Sequence, residues 1–465
     1  MLKERWPVIL IFLLLIARVF FYNSLLPVAQ TPDYDYHNAV AKIYKNNPSI
    51  IFFWDKKDVK IACNDPVIYR PPVSTSPFLY HSLIGKIWYL FETLGFKNAF
   101  ALTSLVQSVL GLLTVWYIYK LATLITRDKW VHYLVLFIAA MLPMFGFIIN
   151  YISYDNLVNL AGAASIFYLF AYLKNNKIKD GLFFAIFTLV GMLTKLAFGP
   201  LFVVLWIIMM LHSSKRLKQI IGEVKRYAGK RVNLIPITVF LILAALFVVF
   251  YGRNVVKYGS YSPRVGRNEE RTCPPPKTIN KNVPKNEDEA EKPINELPLT
   301  GWSGNKIIYA IEYLPVWSVK MTEGVFNIVS HRSLAKTSLY HKVLFVFLVT
   351  SSAGLLWALF RRKQKELWLL LLIAFSYGFY LFYFVNLRTF INGYADPAAR
   401  MLSIQGRYIF PVLSPLVFLF AYGLMGNIKN KKLRILIFAL LLLFLFYGDM
   451  FYFLRHYKVW YLQLP

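Results

Sequence analysis

Thr31-Pro32-Asp33-Tyr34-Asp35-Tyr36-His37 follows closely on an apolar run from Pro7 to Leu26, and this junction decides how the chain is read. A run of 20 residues is long enough to cross a bilayer. Lys3 and Arg5 precede it as in a signal peptide, but it exceeds the usual signal core of about 7–15 residues, and Pro27-Val28-Ala29 makes a poor cleavage site. The run is therefore expected to stay as an anchor. Just beyond it stand two carboxylates and an imidazole. Pro32 suits the first position of a helix, with Thr31 as its N-cap. On that helix Asp33 and His37, four apart, share a face. Tyr36, Val40, Ile43 and Tyr44 fall on the same side at about 100° per residue, while Asp35 points nearly opposite. Asp33 is the carboxylate aimed inward.

Composition extends this reading to the whole chain. Of 465 residues, 57% are hydrophobic and 16% charged, against about 25% charged in soluble proteins. The chain reads as an all-α polytopic membrane protein. Its net charge of +29 does not point to nucleic acid, because the basic residues bunch between apolar runs. Eleven runs qualify as spans: 7–26, 99–121, 131–149, 156–173, 181–196, 199–212, 234–252, 342–360, 367–386, 408–426 and 433–453. With the N-terminus in the cytoplasm, five successive inward loops collect the basic clusters: Arg127 and Lys129; Lys174, Lys177 and Lys179; Lys215 to Arg231; Arg361 to Lys365; Lys429 to Arg434. The segment 78–95 is apolar, but Lys86 and Glu92 interrupt it, and it is read as a helix lying at the interface.

The expected organisation is a first transmembrane helix at 1–26, an extracytoplasmic loop at 27–98, a bundle at 99–252, a second outer loop at 253–341, and a C-terminal bundle at 342–465 with its own outer loop at 387–407. Within the second loop, Arg264 to Pro298 is rich in Pro, Asn, Lys and Glu and reads as a mobile excursion. From Trp302 to Val329 aromatics return, and this part is expected to dock against the membrane surface. Cys63 and Cys273 both fall in outer loops, where a disulfide is permitted but two free thiols are equally compatible.

Residues of functional type converge on the outer side: Asp33, Asp35 and His37; Asp155 in Ser153-Tyr154-Asp155; Lys195 between two short spans; and Arg388, Asp396, Arg400 and Arg407 in the last outer loop. Ionisable groups at span ends are costly and usually functional. Several cations beside carboxylates suit a phosphate leaving group and an incoming hydroxyl: Arg and Lys neutralise the phosphate while a carboxylate takes the proton. Glycosyl transfer from a lipid phosphate has those needs. The chain lacks GxxxxGK[ST], HExxH and GxSxG, so nucleotide hydrolysis, zinc proteolysis and hydrolase-type acyl transfer find no support. His37 and His81 read as hydrogen-bonding residues rather than metal ligands.

Thr31-Pro32-Asp33 through His37, Tyr69-Arg70-Pro71-Pro72, Ser153-Tyr154-Asp155 and Gln405-Gly406-Arg407-Tyr408-Ile409-Phe410-Pro411 together resemble the C-type fold of membrane glycosyltransferases (GT-C). The similarity is greatest to a branch with an early Pro-Asp-Glu-x-x-His and a late Gln-Gly-Arg-Tyr. It covers most of the membrane part but not 264–298. The resemblance implies a polyprenyl-phosphate sugar as donor, a catalytic carboxylate in the first outer loop, and inverting transfer on the extracytoplasmic face to a glycan, lipid or protein acceptor of the cell envelope. Asp33 matches the branch's Asp and His37 its His, whereas its Glu is Tyr34 here. Two arrangements stay open: Asp35 replaces the Glu from one position away, or Asp33 works alone. The departure also leaves a bound divalent cation undecided.

The expected site is accordingly Asp33 as general base, with Asp35, His37 and Asp155 in support. Lys195, Arg388, Arg400, Arg407 and Tyr408 would hold the donor phosphate, and Arg70 and Gln405 the acceptor. A transporter or flippase of a lipid-linked saccharide would also need many spans and a basic cavity, though not an inward acid on an outer loop. An oligosaccharide ligase or polymerase is the third reading.

Overall fold

The computed structural model describes residues 2–25, 33–50, 77–261, 306–326, 338–362, 364–387, 404–448 and 454. Among them the regular structure is helical, with no strand. In chain order the α-helices are α1 (Leu2–Leu25), α2 (Tyr34–Asn46), α3 (Leu79–Thr93), α4 (Ala99–Ile125), α5 (Lys129–Met141), α6 (Pro143–Ile148), α7 (Tyr154–Asn175), α8 (Ile178–Thr194), α9 (Gly199–Ser213), α10 (Leu217–Ala228), α11 (Leu234–Tyr258), α12 (Lys306–Phe326), α13 (Ser338–Arg362), α14 (Lys365–Tyr380), α15 (Leu413–Met425) and α16 (Lys431–Phe446). Eight stretches among the described residues are long and apolar enough to cross a membrane, lying in α1, α4, α7, α9, α11, α13, α14 and the segment Gly406–Met425. The chain is an all-α, multi-pass membrane protein.

The other three expected spans form shorter helices. The stretch 131–149 breaks into α5 and α6 at Leu142-Pro143, because proline cannot donate to the preceding turn. The carbonyls freed there would be costly in an apolar interior. Arg18, buried in the middle of α1, reaches into the break: its guanidinium donates to the carbonyl oxygen of Ala140 and, at 2.8 Å, to that of Leu142, which also accepts from the Gly146 amide at 3.0 Å. The helix α8 has 17 residues and α16 has 16. The segment 78–95 becomes α3, a 15-residue helix that carries Lys86 and Glu92. One face of α3 packs on α2, α4, α7 and α8, burying Tyr80, His81 and Ile84.

At the centre stands α7, packed against α4, α8, α9, α15 and the 3₁₀ turn Gly406–Val412. The run Ala161-Gly162-Ala163-Ala164-Ser165 in α7 is buried and small, which lets neighbours approach closely. A Cβ at Gly162 would overlap the carbonyl of Pro411. The connection from α7 to α8 is a tight turn at Asn176, held in the left-handed conformation at φ 54°. The start of α7 and the end of α8 therefore lie at the same end of the hairpin.

One expectation requires correction. The first helix of the outer loop does not start at Pro32 under a Thr31 cap. It starts at Tyr34, after Asp33 at φ 57°, whose side chain makes no capping bond. Val40 and Tyr44 are nonetheless buried, with Tyr36 and Ile43 packed beside them, as the periodicity indicates. The aromatic stretch within 302–329 contains α12, one face of which docks on protein. Tyr313 and Trp317 pack on Phe382, and Trp317 Nε1 donates to Asn386 Oδ1 at 2.9 Å. Ile311, Leu314 and Val319 face outward on the same helix.

Candidate active site

The expected residues Asp33, Asp155, Lys195, Arg407 and Tyr408 meet in one cluster, and local structure explains each position. Ser153 caps α7, its hydroxyl accepting from the amide of Asp155 at 3.2 Å. Asp155 thus sits in the first helical turn, where the N-terminal dipole favours an anion. Lys195 follows the last residue of α8, where the opposite end favours a cation. The hairpin brings the two together: Lys195 Nζ donates to Asp155 Oδ1 at 2.7 Å. The break around Lys195 is held from outside. Tyr251 Oη donates to the Met192 carbonyl at 2.7 Å and Tyr377 Oη to that of Ala197 at 3.3 Å.

Arg407 enters on the 3₁₀ turn that leads into α15. Its Nη2 donates to Asp33 Oδ2 at 2.8 Å, and its Nε lies 3.6 Å from Asp155 Oδ2, an ion pair too long for a hydrogen bond. That Nε is buried and finds no hydrogen-bond acceptor among the described residues. Two carboxylates and two cations therefore alternate as Asp33, Arg407, Asp155, Lys195. Asp33 is the accessible end of this row, with 27% of its side chain exposed against 6% for Asp155 and 3% for Arg407.

The Gln-Gly-Arg-Tyr stretch owes its form to this placement. Gly406 lies backbone to backbone against Gly324 of α12, and a Cβ on either would overlap the other strand of chain. Phe410 is buried 5.9 Å from the Phe145 ring. Tyr408 and Tyr154 flank Lys195, whose Nζ stands 4.7 Å and 4.3 Å from their ring centres, cation–π distances.

His37 lies behind Tyr154, ring centres 4.5 Å apart, and not on the ion row. Its Nδ1 is 3.0 Å from His81 Nε2, so one ring donates and the other accepts. Burial, with His37 beside it, holds His81 well below its ordinary value of 6.5. Among the described residues no group of three or more His, Cys, Asp or Glu is arranged to hold a metal. Asp33 and Asp155 are committed to the protein's own cations, a donor set that does not fit a divalent-ion cage.

Arg70, Arg388, Asp396, Arg400, Cys63 and Cys273 lie outside the described residues, as does the side chain of Asp35. Gln405 is half-buried at the head of the 3₁₀ turn, its carbonyl accepting from Tyr408 N at 3.0 Å. Sequence reasoning missed the roles of Tyr154 and of the polar bed beneath Asp155. There Gln107 Oε1 accepts from Tyr80 Oη at 2.8 Å and from Asn156 Nδ2 at 3.2 Å. Asn156 Nδ2 also reaches the carbonyls of Ile148 and Tyr151, both at 3.1 Å, and so fixes the loop before Asp155. Its signal was the amide cluster Asn150, Asn156 and Asn159 in an otherwise apolar stretch.

No known protein family, no curated protein and no solved structure matches this chain.

Proposed function

We propose that this protein is an integral membrane glycosyltransferase of the C-type fold, moving a sugar from a polyprenyl-phosphate donor to a glycan, lipid or protein acceptor. The observation that carries this reading is the row Asp33, Arg407, Asp155, Lys195, in which a partly exposed carboxylate adjoins a buried guanidinium with an unused N–H. In this reading the acceptor oxygen attacks the anomeric carbon and its proton passes to Asp33. The bond from that carbon to the phosphate oxygen breaks, and the polyprenyl phosphate leaves with an additional negative charge. Arg407 and Lys195 neutralise that charge. Asp155 positions both cations. Asp33 occupies Nη2 of Arg407, so a donor phosphate that takes that N–H displaces Asp33 and releases it to act as base.

The broken pair α5 and α6, α8 and α16 supply three crossings beyond the eight long ones, giving eleven. The basic loops lie at the far end from the ion row: Lys174 at the end of α7 donates to the Leu124 carbonyl, and Arg434 pairs with Asp128 at 2.8 Å. On the positive-inside rule that end is cytoplasmic and the ion row extracytoplasmic, in the cell membrane. The deciding experiment is a transfer assay with purified protein and a panel of polyprenyl-phosphate monosaccharides. Transfer lost in Asp33→Asn supports the reading. Movement of lipid-linked saccharide across vesicles without transfer would assign a flippase instead.

A further inference from the structure

The helix α10, between the long spans of α9 and α11, takes no part in the ion row and buries no residue. At 100° per residue its apolar side chains Leu217, Ile220, Ile221, Val224, Tyr227 and Ala228 fall within an arc of about 120°. Every polar residue, Lys218, Gln219, Glu223, Lys225 and Arg226, falls outside that arc. The flank carrying Ile220 and Tyr227 is partly covered and the helix touches α8. The centre of the stripe is uncovered: Leu217, Ile221 and Val224 are 61%, 52% and 46% exposed.

Charge says what covers it. Between Ser214 and Leu234 the chain carries seven cations against the single carboxylate of Glu223, which Arg216 engages at 3.5 Å. Lys218, Lys225, Arg226, Lys230 and Arg231 are exposed and form no ion pair among the described residues. A helix with an apolar stripe, a cationic opposite face and spans at both ends is held at the depth where acyl chains meet headgroups. We infer that α10 lies in the bilayer surface and gathers anionic lipid headgroups around Lys218, Lys225 and Arg226, with Leu217, Ile221 and Val224 among the acyl chains.

The inference is independent of the transfer chemistry and is tested on the full chain in nanodiscs. Ile221→Cys, in a Cys63→Ser, Cys273→Ser background, carries an environment-sensitive fluorophore, and Gln219→Cys serves as the polar-face control. The discs hold phosphatidylglycerol and phosphatidylcholine in equal amounts, with bromine on the acyl chains of one or the other. Position 221 should be quenched and position 219 much less. A basic residue near an anionic surface is worth about a fivefold preference at low salt, so brominated phosphatidylglycerol should quench several-fold more than brominated phosphatidylcholine. Replacing Lys218, Lys225 and Arg226 by Gln should equalise the two. Absence of quenching at 221 from either lipid would mean that protein, a second copy or a partner, covers the stripe, and would overturn the inference. Equal quenching by both lipids in the unsubstituted helix would overturn its anionic part.

Discussion

Asp33→Asn separates the two tasks that the proposed mechanism gives to one carboxylate. The amide keeps the shape but cannot accept the acceptor's proton. General-base assistance is worth about 10²- to 10⁴-fold, so single-turnover transfer should fall by that order. Donor binding should move the other way. In the proposed mechanism the phosphate competes with Asp33 for Arg407, across a 2.8 Å charge-assisted bond. Such a bond is worth about 1.5–3 kcal/mol, and the partial exposure of Asp33 brings that down to about 1–2 kcal/mol. The donor should then bind about 5- to 30-fold tighter. The assay pairs single-turnover transfer with equilibrium binding of radiolabelled polyprenyl-phosphate sugar to the purified variant. An unchanged rate would remove Asp33 as the base. Weaker donor binding would refute the exchange at Arg407, since it would mean that Asp33 helps to hold the donor.

Arg407→Ala should weaken donor binding and also slow transfer, because the phosphate is present in the ground state and gains charge in the transition state; Arg407→Lys should recover little, since one ammonium cannot reach both carboxylates as the guanidinium does. Asp155→Asn strands Lys195 in a mostly buried site and should cost about 2–4 kcal/mol in thermal unfolding, part of which the double variant with Lys195→Met recovers. Gly406→Ala should lower both folded yield and activity, because its methyl group meets the Gly324 backbone and two main chains must part. Acid should weaken the fold through His81. Its folded value lies below 6.5, so the unfolded chain takes up the proton first. Stability is complete above about pH 6.5 and declines below it by up to about 1.4 kcal/mol per pH unit until the depressed value is reached. With His37, Tyr36, Tyr80 and Tyr154 around the ring, His81→Asn should flatten that dependence in a melt series from pH 7.5 to 5.

The membrane class and the members of the ion row were legible because charge beside an apolar run is costly. Lys195 and Asp155, each at the edge of such a run, had little reason to be there without a partner, and they are each other's partner. Arg407 was legible from its stretch, but its attachment to Asp33 was not. The left-handed Asp33 depends on a residue from near the other end of the chain, whereas local periodicity placed it inside a helix. Arg18 escaped for a different reason. Counting a 20-residue run by length passed over the one cation within it, which was the sign that some backbone nearby lacked partners. The proline that created that need, Pro143, stood in a run also judged by length. The faces of α10 lay inside a stretch weighed for net charge alone, and only their angular order separates a basic loop from a surface helix.

The contact between Asp33 and Arg407 joins positions 374 residues apart, while that between Lys195 and Asp155 joins positions 40 apart. During synthesis the chain emerges N-terminal end first. The Lys195–Asp155 pair can close as soon as one hairpin is inserted. Asp33 has to wait, its counter-charge not yet made, until ribosomes have passed Arg407. A chain ended early by truncation keeps the first pair and never gains the second. The Asp33 end of the row is thus completed last, after most of the helices that surround it are in the membrane, so an unfinished chain holds its hairpin pair while Asp33 still lacks the guanidinium that fixes its place.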